Sequence, residues 1–133
     1  MTVVVGYVPT ETGYLAVTEA IKEAVLRGGE IVVVNVVQAA GFAQATAADQ
    51  PDLDALAARL SEAGVGFEIR QRIRDTESVA EEILSVAEEK NAELIVVGLH
   101  RRSPVGKALL GSNAQRVLLS STCPVLAVRH PEL

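Results

Sequence analysis

The chain has 133 residues, of which 49% are hydrophobic, and a formal net charge of −5 at pH 7. We therefore expect one domain spanning residues 1–133, long enough to bury about two thirds of its unfolded surface without a metal or disulfide. An acidic balance with no block of basic residues argues against nucleic-acid and anionic-membrane partners, since both attract positive charge. The sequence has neither a secretion signal nor an apolar run near the ~20 residues of a membrane span, which predicts a cytoplasmic protein.

The first third of the chain alternates between strand and helix patterns. The β-branched run from Thr2 to Val8 predicts a strand buried on both faces. After the turn-forming stretch PTETG, apolar residues recur at helical spacing until Gly28 and Gly29, which predicts that the helix ends there. A second doubly buried strand is predicted from Ile31 to Val37, and the aperiodic QAAGFAQATAADQ after it is predicted to be a mobile loop. The predicted buried stripe of the helix is Tyr14, Val17, Ile21, Ala24 and Val25.

A second helix and a strand of different character follow. Pro51 fits the first turn of a helix, and Gly64 is placed to end it. Beyond it, Val65, Phe67 and Ile69 alternate with small or polar residues. This alternation predicts a strand with one wet face, as at the edge of a sheet.

The last third contains two more helix–strand pairs. Asp75 is predicted to cap a helix, and its acid pairs, Glu81 with Glu82 and Glu88 with Glu89, are predicted on the outer face. Strand patterns recur from Leu94 to Val97 and in PVLAV, on either side of a helical pattern marked by Ala114, Val117 and Leu118. The apolar stripe predicted for the Asp75 helix is Val79, Ile83, Val86 and Ala87.

The alternation of strands with helices predicts an α/β fold with a parallel sheet, because parallel strands need crossover connections. In such sheets, ligands bind where strands end at their carboxyl edge. The segment VVGLHRRSPVGKALLGSNAQ, from Val96 to Gln115, leaves the sheet at that edge. It is therefore the first place to look for a site.

This segment has the composition of a phosphate-binding loop. Gly98 allows a close turn at the strand end, and Gly111 with Ser112 would place backbone amides at a helix N-terminus, where anions bind. Positive charge comes from Arg101, Arg102 and Lys107. The alternative is a solvated basic loop that only Leu109 and Leu110 anchor. A P-loop is excluded, because Ala108 follows the lysine, and the glycines of GYVPTETG are too far apart for a dinucleotide fingerprint.

The loop and its flanks resemble the universal stress protein family. Gly98, Gly111 and Ser112 match the first and last parts of the family pattern G-x2-G-x9-G-[ST], and the order of elements agrees from end to end. The resemblance implies a three-layer, flavodoxin-like fold with a five-stranded parallel sheet of order 3-2-1-4-5. It also implies a pocket at the ends of strands one and four, which holds adenosine in nucleotide-binding members, with the phosphates along the glycine loop.

Two residues depart from the pattern of nucleotide-binding members. Arg101 stands where the family has its second glycine, and Val8 stands where many members carry an acidic residue. ATP or another adenine nucleotide is the expected ligand, and no cofactor is required. Two alternatives stay open for Arg101: it contacts the phosphates, or its side chain blocks the site. The candidate binding residues are Val8, Pro9, Val36, Gly98, His100, Arg101, Arg102, Lys107, Gly111, Ser112 and Asn113.

Three kinds of function are compatible with these residues. A stress-response protein that binds or senses a nucleotide is favoured, and a dimeric interaction protein without nucleotide is the alternative. An enzyme is not expected, because no general base is evident for Ser112 and no metal-ligand spacing is present, although slow ATP hydrolysis stays open.

The last strand, PVLAV, is apolar on both faces, unlike a protected sheet edge. The family resemblance implies a homodimer through antiparallel pairing of this strand, with Val125 and Val128 as contacts among Val125, Leu126, Ala127 and Val128. The alternative is that helices of the same chain cover both faces.

Overall fold

A computed structural model describes residues 1–38, 48–74, 79–99 and 111–130. The predicted mobile loop falls largely on residues 39–47, and the predicted cap Asp75 falls on 75–78, so both lie outside the described residues. Strands β1 to β5 span Thr2–Gly6, Glu30–Gln38, Phe67–Arg74, Leu94–Leu99 and Val125–Arg129, and helices α1 to α4 span Glu11–Arg27, Gln50–Glu62, Val79–Glu89 and Ser112–Ser120.

The five strands form one parallel sheet in the order β3-β2-β1-β4-β5. This confirms the predicted α/β class and strand order. The chain moves outward from β1 to β3 and then crosses to the other side of β1 as β4. Such a reversal opens a crevice between the carboxyl ends of the two central strands, here β1 and β4.

Each face of the sheet carries its own hydrophobic core. Val3 and Val5 face α1 and α2, whereas Val4, between them in the chain, faces α3 and α4. All three side chains are fully buried. Because helices cover both faces, a central strand needs apolar residues at every position, which explains its continuous valine run.

Local signals fix the helix ends. Thr10 caps α1, its hydroxyl oxygen accepting a hydrogen bond from the amide of Gly13 at 3.1 Å. Gly28 ends the helix in the left-handed conformation, with φ of 68°, which confirms the predicted stop. Asp49 and Asp52 form a reciprocal capping box at the start of α2.

The buried face of α1 differs from the predicted stripe. Tyr14 is 39% exposed and Val25 is 58% exposed, whereas Ala16 and Ala20 are fully buried. The prediction weighted the large apolar residues, but the alanines face the sheet. Small side chains allow the helix axis to approach the valine-covered strands closely, so the stripe lies on the alanine side.

The prediction that Glu82 lies on an outer helix face is wrong. Its residue is only 5% exposed, and its Oε1 lies 3.4 Å from Nε of Arg72 on β3. Glu82 is three residues after Val79 and four before Val86, so helical geometry places it on the same face as these apolar residues. A buried carboxylate needs a partner, and Arg72 supplies the charge.

The two edges of the sheet differ in character. At the β3 edge, Arg70 donates two hydrogen bonds to Glu89 on α3, at 3.0 and 2.6 Å, and also contacts Glu68. The edge position predicted for this strand is thus confirmed. The predicted alternation of a covered and a wet face is observed only in part, because Phe67 is 36% exposed whereas the paired side chain of Arg70 is 15% exposed.

At the β5 edge, Val125, Leu126 and Ala127 are partly buried and Val128 is buried in the core on the α1 face. The alternative that helices of the same chain cover the strand is therefore correct for Val128. Its side chain is not available as a contact at the edge, which leaves the strand backbone and its other side chains for any partner.

Candidate functional site

A cavity of about 300 Å³ lies at the carboxyl ends of β1 and β4, on the sheet face that carries α3 and α4. Its position is the crevice that the strand order predicts. Its volume is at the lower end of the range for small-ligand pockets. The lining residues are Gly6, Tyr7, Val8, Thr10, Val36, Val79, Ile83, Val97, Gly98, Asn113, Ala114 and Val117.

Two glycines allow the surrounding elements to approach the strand ends. A β-carbon on Gly6 would lie 2.7 Å from Cδ1 of Ile83, and one on Gly98 would lie 2.7 Å from Cγ2 of Thr12. These distances are shorter than real contacts, so a side chain at either position would displace its neighbour. The sequence predicted a close turn of the backbone at Gly98, whereas the structure shows that the first turn of α1 packs closely against this glycine.

The turn after β1 is packed still more tightly. A β-carbon on Gly13 would lie 1.8 Å from the carbonyl oxygen of Val8, which only glycine permits. The same carbonyl accepts a hydrogen bond from the amide of Thr10 at 2.8 Å. The backbone of Val8 is thus held in place at the cavity wall.

Few polar side chains line the cavity, and the oxygens of Thr10 and Asn113 each accept a hydrogen bond at the start of a helix. Thr10 accepts its capping hydrogen bond from Gly13, and Oδ1 of Asn113 accepts one from the amide of Ala80 at 3.3 Å, which joins the starts of α4 and α3. Within the described part of the lining, no residue carries a charge. The cavity therefore suits an uncharged, largely apolar part of a ligand.

The start of α4, beside this cavity, presents backbone amides that can bind an anion. Gly111 is the N-cap of the helix and makes no side-chain capping hydrogen bond, and Ser112 is the first helical residue and exposed. The first amides of a helix and its dipole favour negative charge. Asn113, in the same turn, lines the cavity, so the apolar and anion-favouring regions are contiguous.

The predicted binding residues divide into three groups. Val8, Val36, Gly98 and Asn113 line the cavity. Pro9, in the turn after β1, and Gly111 and Ser112, at the start of α4, are described but are not part of the lining. The remaining four, His100, Arg101, Arg102 and Lys107, lie outside the described residues, so their roles stay predictions.

Sequence reasoning missed most of the apolar wall. Val79, Ile83 and Val117 were assigned to helix stripes, and Val97 to a buried strand. Each assignment is compatible with the cavity, because core and cavity walls use the same residue types. The strand parity did contain a signal: Val36 and Val97 face α3 and α4, as Val4 does.

A buried polar network supports the opposite face of the same strand ends. Nδ2 of Asn35, which is fully buried on β2, donates to the carbonyl of Tyr7 at 2.9 Å. Its Oδ1 accepts from the amide of Ala48 at 3.1 Å and from Nε2 of Gln71 at 3.0 Å. These bonds fix the end of β1 relative to β2 and β3. The sequence placed Asn35 inside an apolar run and gave no role to it.

The Tyr7 ring also points to that face, where it meets Tyr14 edge to face with centroids 5.8 Å apart. Burial raises the pKa of Tyr7 well above its ordinary value, and the neighbouring Tyr14 adds to the shift. The phenol is therefore neutral throughout the physiological range, and it contributes no charge to the site.

The described residues also bear on metal binding and on membrane insertion. No group of three or more His, Cys, Asp or Glu that could hold a metal ion occurs within residues 1–38, 48–74, 79–99 and 111–130. Over the same part of the chain, none of the helices has both the length and the apolar character needed to cross a bilayer.

Comparison with known proteins gives a consistent assignment. The sequence profile of the Universal stress protein family matches residues 1–129. A universal stress protein of Mycolicibacterium smegmatis is 40% identical over 127 residues, which cover 96% of each chain. A universal stress protein structure from Archaeoglobus fulgidus superposes with a TM-score of 0.79 at 27% identity, covering 96% of this chain and 98% of its own. A universal stress protein solved in complex with cAMP superposes with a TM-score of 0.71 at 26% identity, covering 97% and 96%.

Proposed function

Because the chain belongs to the universal stress protein family, we propose that it is a cytoplasmic stress-response protein that binds or senses an adenine nucleotide. The observation that carries the proposal is the cavity at the ends of β1 and β4, which adjoins the start of α4. It combines an apolar wall for a base with a helix N-terminus for phosphate.

The two parts of an adenine nucleotide match the two parts of the site. The base is flat and uncharged, and it would lie against the side chains of Val36, Val97 and Ile83. The phosphates would lie at Gly111 and Ser112, where the helix dipole and backbone amides stabilise negative charge. The similar protein solved with cAMP provides independent support for an adenine nucleotide as the ligand.

We propose binding rather than catalysis as the activity. Ser112, the nucleophile that the sequence offers in this region, is the first residue of α4 and is exposed. Its position favours a phosphate contact, since a serine nucleophile needs a general base within hydrogen-bond reach. Turnover of ATP measured over hours, with and without Mg²⁺, would contradict this part of the proposal if it exceeded the uncatalysed rate.

A substitution within α4 tests the nucleotide site directly. Ala114 lines the cavity, whereas its neighbour Gln115 is exposed. Ala114→Leu should lower the affinity for ATP about tenfold or more in calorimetry, because the added carbons occupy the space of the base. Gln115→Leu is the matched control and should bind as the wild type does. Equal affinities for ATP in all three proteins would place the nucleotide elsewhere, and release of adenine nucleotide from gently purified protein would show occupancy.

We also propose a homodimer through β5. The carbonyl of Pro124 accepts from the amide of Ile95 at 3.0 Å, so the strand alternation turns the amides of Val125 and Ala127 away from β4. These amides face the open edge, as pairing with a second copy requires. The same edge would serve the alternative function, a dimeric interaction protein without nucleotide.

The dimer is tested at one position by two substitutions. Ala127→Pro removes an outward amide and should shift sedimentation toward monomer, whereas Ala127→Val keeps the amide and should leave the dimer intact. A wild type that sediments only as monomer at micromolar concentration would refute the dimer, while leaving nucleotide binding open.

A further inference from the structure

A second cavity lies between α3 and α4, at the opposite end of these helices from the proposed nucleotide site. It also has a volume of about 300 Å³, and because it adjoins the starts of β4 and β5 we call it the amino-edge cavity. The two cavities share no described lining residue, so a ligand here would be additional to a nucleotide. The amino-edge cavity is lined by Leu84, Ala87, Glu88, Asn91, Ala92, Ile95, Ser120, Ser121, Thr122 and Cys123.

Hydrogen bonds within the chain hold two walls of this cavity. In the turn after α3, Asn91 has the left-handed conformation, with φ of 50°, and the amide of Ala92 donates to the carbonyl of Ala87 at 2.9 Å. In the turn after α4, Oγ of Ser121 donates to the carbonyl of Cys123 at 2.7 Å and accepts from its amide at 3.1 Å. These walls therefore form without a ligand.

The backbone and side chains around the amino-edge cavity favour positive charge. Helices α3 and α4 both end there, and the C-terminal end of a helix carries a partial negative charge that stabilises cations. Neither helix has a basic residue in its last turn. Glu88 adds a carboxylate, and the described lining contains no Lys, Arg or His.

The charged neighbours of Glu88 are paired with other groups. Nζ of Lys90 lies 3.2 Å from Oε1 of Glu68 on β3, and Glu89 accepts two hydrogen bonds from Arg70. Over the described part of the chain, no cation lies within ion-pair distance of Glu88. A cationic ligand would supply the partner that this carboxylate lacks there.

The uncharged part of the lining narrows the chemical class of this cation. Leu84, Ala92 and Ile95 provide an apolar surface for an alkyl chain. The hydroxyl groups of Ser120 and Thr122 can accept hydrogen bonds, which a primary ammonium group donates and a quaternary one does not. Quaternary ammonium ions bind best against aromatic rings, and the described lining has none.

We propose that the amino-edge cavity binds a small protonated primary alkylamine, with its ammonium group against Glu88 and the ends of α3 and α4 and its alkyl chain against the apolar surface. Such a molecule is protonated near pH 7, as a lysine side chain is. The groove between α3 and α4 then has two sites of opposite preference. The helix N-terminus at the carboxyl edge of the sheet favours an anion, and the helix C-termini at the amino edge favour a cation.

NMR titration of the wild-type protein with n-pentylamine, 1-pentanol and pentanoate compares a cation, a neutral molecule and an anion of matched chain length. We expect pentylamine to shift the amide resonances of Asn91, Ala92 and Cys123, with a dissociation constant about tenfold or more below that of 1-pentanol and with pentanoate weakest. A preference for the amine below about threefold, or no shift of these resonances at about 10 mM pentylamine, would overturn the proposal.

Two substitutions that remove the same charge test the role of Glu88. Glu88→Gln keeps the shape of the side chain and should weaken pentylamine binding about threefold to fivefold, while 1-pentanol binds as before. Glu62→Gln is the matched control, because Glu62 is exposed and lies on α2, across the sheet from the cavity. It should bind both molecules as the wild type does. Equal losses in the two variants would overturn the assignment of Glu88, since only the net charge of the protein would then matter.

The single cysteine of the chain provides an independent measurement, because Cys123 lines the same cavity. Its thiolate attacks the sulfenyl sulfur of a methanethiosulfonate, which forms a disulfide and releases methanesulfinate. We expect the cationic aminoethyl reagent to react about tenfold or more faster than the anionic sulfonatoethyl reagent, after each rate is divided by that of a small free thiol. Equal normalised rates, or a faster anionic reagent, would overturn the proposed preference for cations. Nucleotide binding is unaffected by either result.

Discussion

At the carboxyl ends of its central strands, the sheet is closed on one face and open on the other. On the face of α1 and α2, Gly13 contacts the Val8 backbone, and Asn35 makes two buried hydrogen bonds and a partly buried one. On the face of α3 and α4, the same strand ends border a cavity of about 300 Å³. The difference shows that the closed face holds the strand ends in place, which allows the open face to keep a preformed site.

The closed face should tolerate substitution least at Gly13. Gly13→Ala puts a β-carbon 1.8 Å from the Val8 carbonyl oxygen, so α1 must move away from the strand end. We expect the free energy of unfolding to fall by roughly 3 kcal/mol or more. Urea unfolding with a matched Gly66→Ala variant tests this, since the nearest atom to a β-carbon there is 3.7 Å away. Similar stabilities for the two variants would show that the α1 turn is not closely packed.

The next largest effect is expected at Asn35. Asn35→Ala removes the buried acceptor of the Ala48 amide and the donor to the Tyr7 carbonyl, while Gln71 keeps its hydrogen bond to the Ala48 carbonyl, and it should destabilise the protein by about 2 kcal/mol or more. Asn113→Ala, on the open face, removes the side-chain oxygen to which the Ala80 amide donates and should lower stability by about 1 kcal/mol. Chemical denaturation of both variants compares the faces directly. A larger loss at Asn113 would reverse the comparison.

The same substitution at two adjacent positions of β4 should lower the stability at one and raise it at the other. Val96 is fully buried on the closed face, whereas Val97 lines the cavity. Val96→Ile should destabilise by about 1 kcal/mol through overpacking. Val97→Ile adds a methylene to free space and should stabilise by up to about 0.8 kcal/mol. Thermal unfolding measures both signs, and destabilisation by Val97→Ile would indicate that the cavity is already filled by other atoms.

The contrast between the two faces also explains what the sequence could predict. The valine runs predicted doubly covered strands because covered faces demand apolar residues at every position, and Gly28 predicted a helix end because a left-handed residue favours glycine. The cavity could not be predicted in this way, since Val97 at its wall and Val96 in the core are the same residue type. Loop chemistry and family resemblance together identified Val36 and Asn113 as candidates. Neither of these signals indicated Thr10 or the buried carboxylate of Glu82, which depend on contacts between distant elements.

The smallest expected effect on stability concerns the ion pairs of Arg70 on β3, which lie at the edge of the open face and join β3 to α3. Hydrogen bonds from Arg70 lower the pKa values of Glu68 and Glu89 below their ordinary value of 4.5. A carboxylate whose folded pKa is lowered stabilises the fold above its unfolded pKa, and this contribution is lost as the pH falls through the folded pKa. Both carboxylates are close to solvent, so the contribution should be small and sensitive to salt.

Arg70→Gln should therefore be slightly less stable than the wild type near pH 7, and the difference should shrink as the pH falls below 4.5. Arg70→Lys keeps the charge but cannot donate two parallel hydrogen bonds to Glu89. Its stability should therefore lie between those of the wild type and Arg70→Gln. Urea midpoints measured across this pH range, at low salt and at about 1 M salt, provide the comparison. A difference that persists at low pH and in high salt would mean that Arg70 joins β3 to α3 by packing its side chain rather than by its charge.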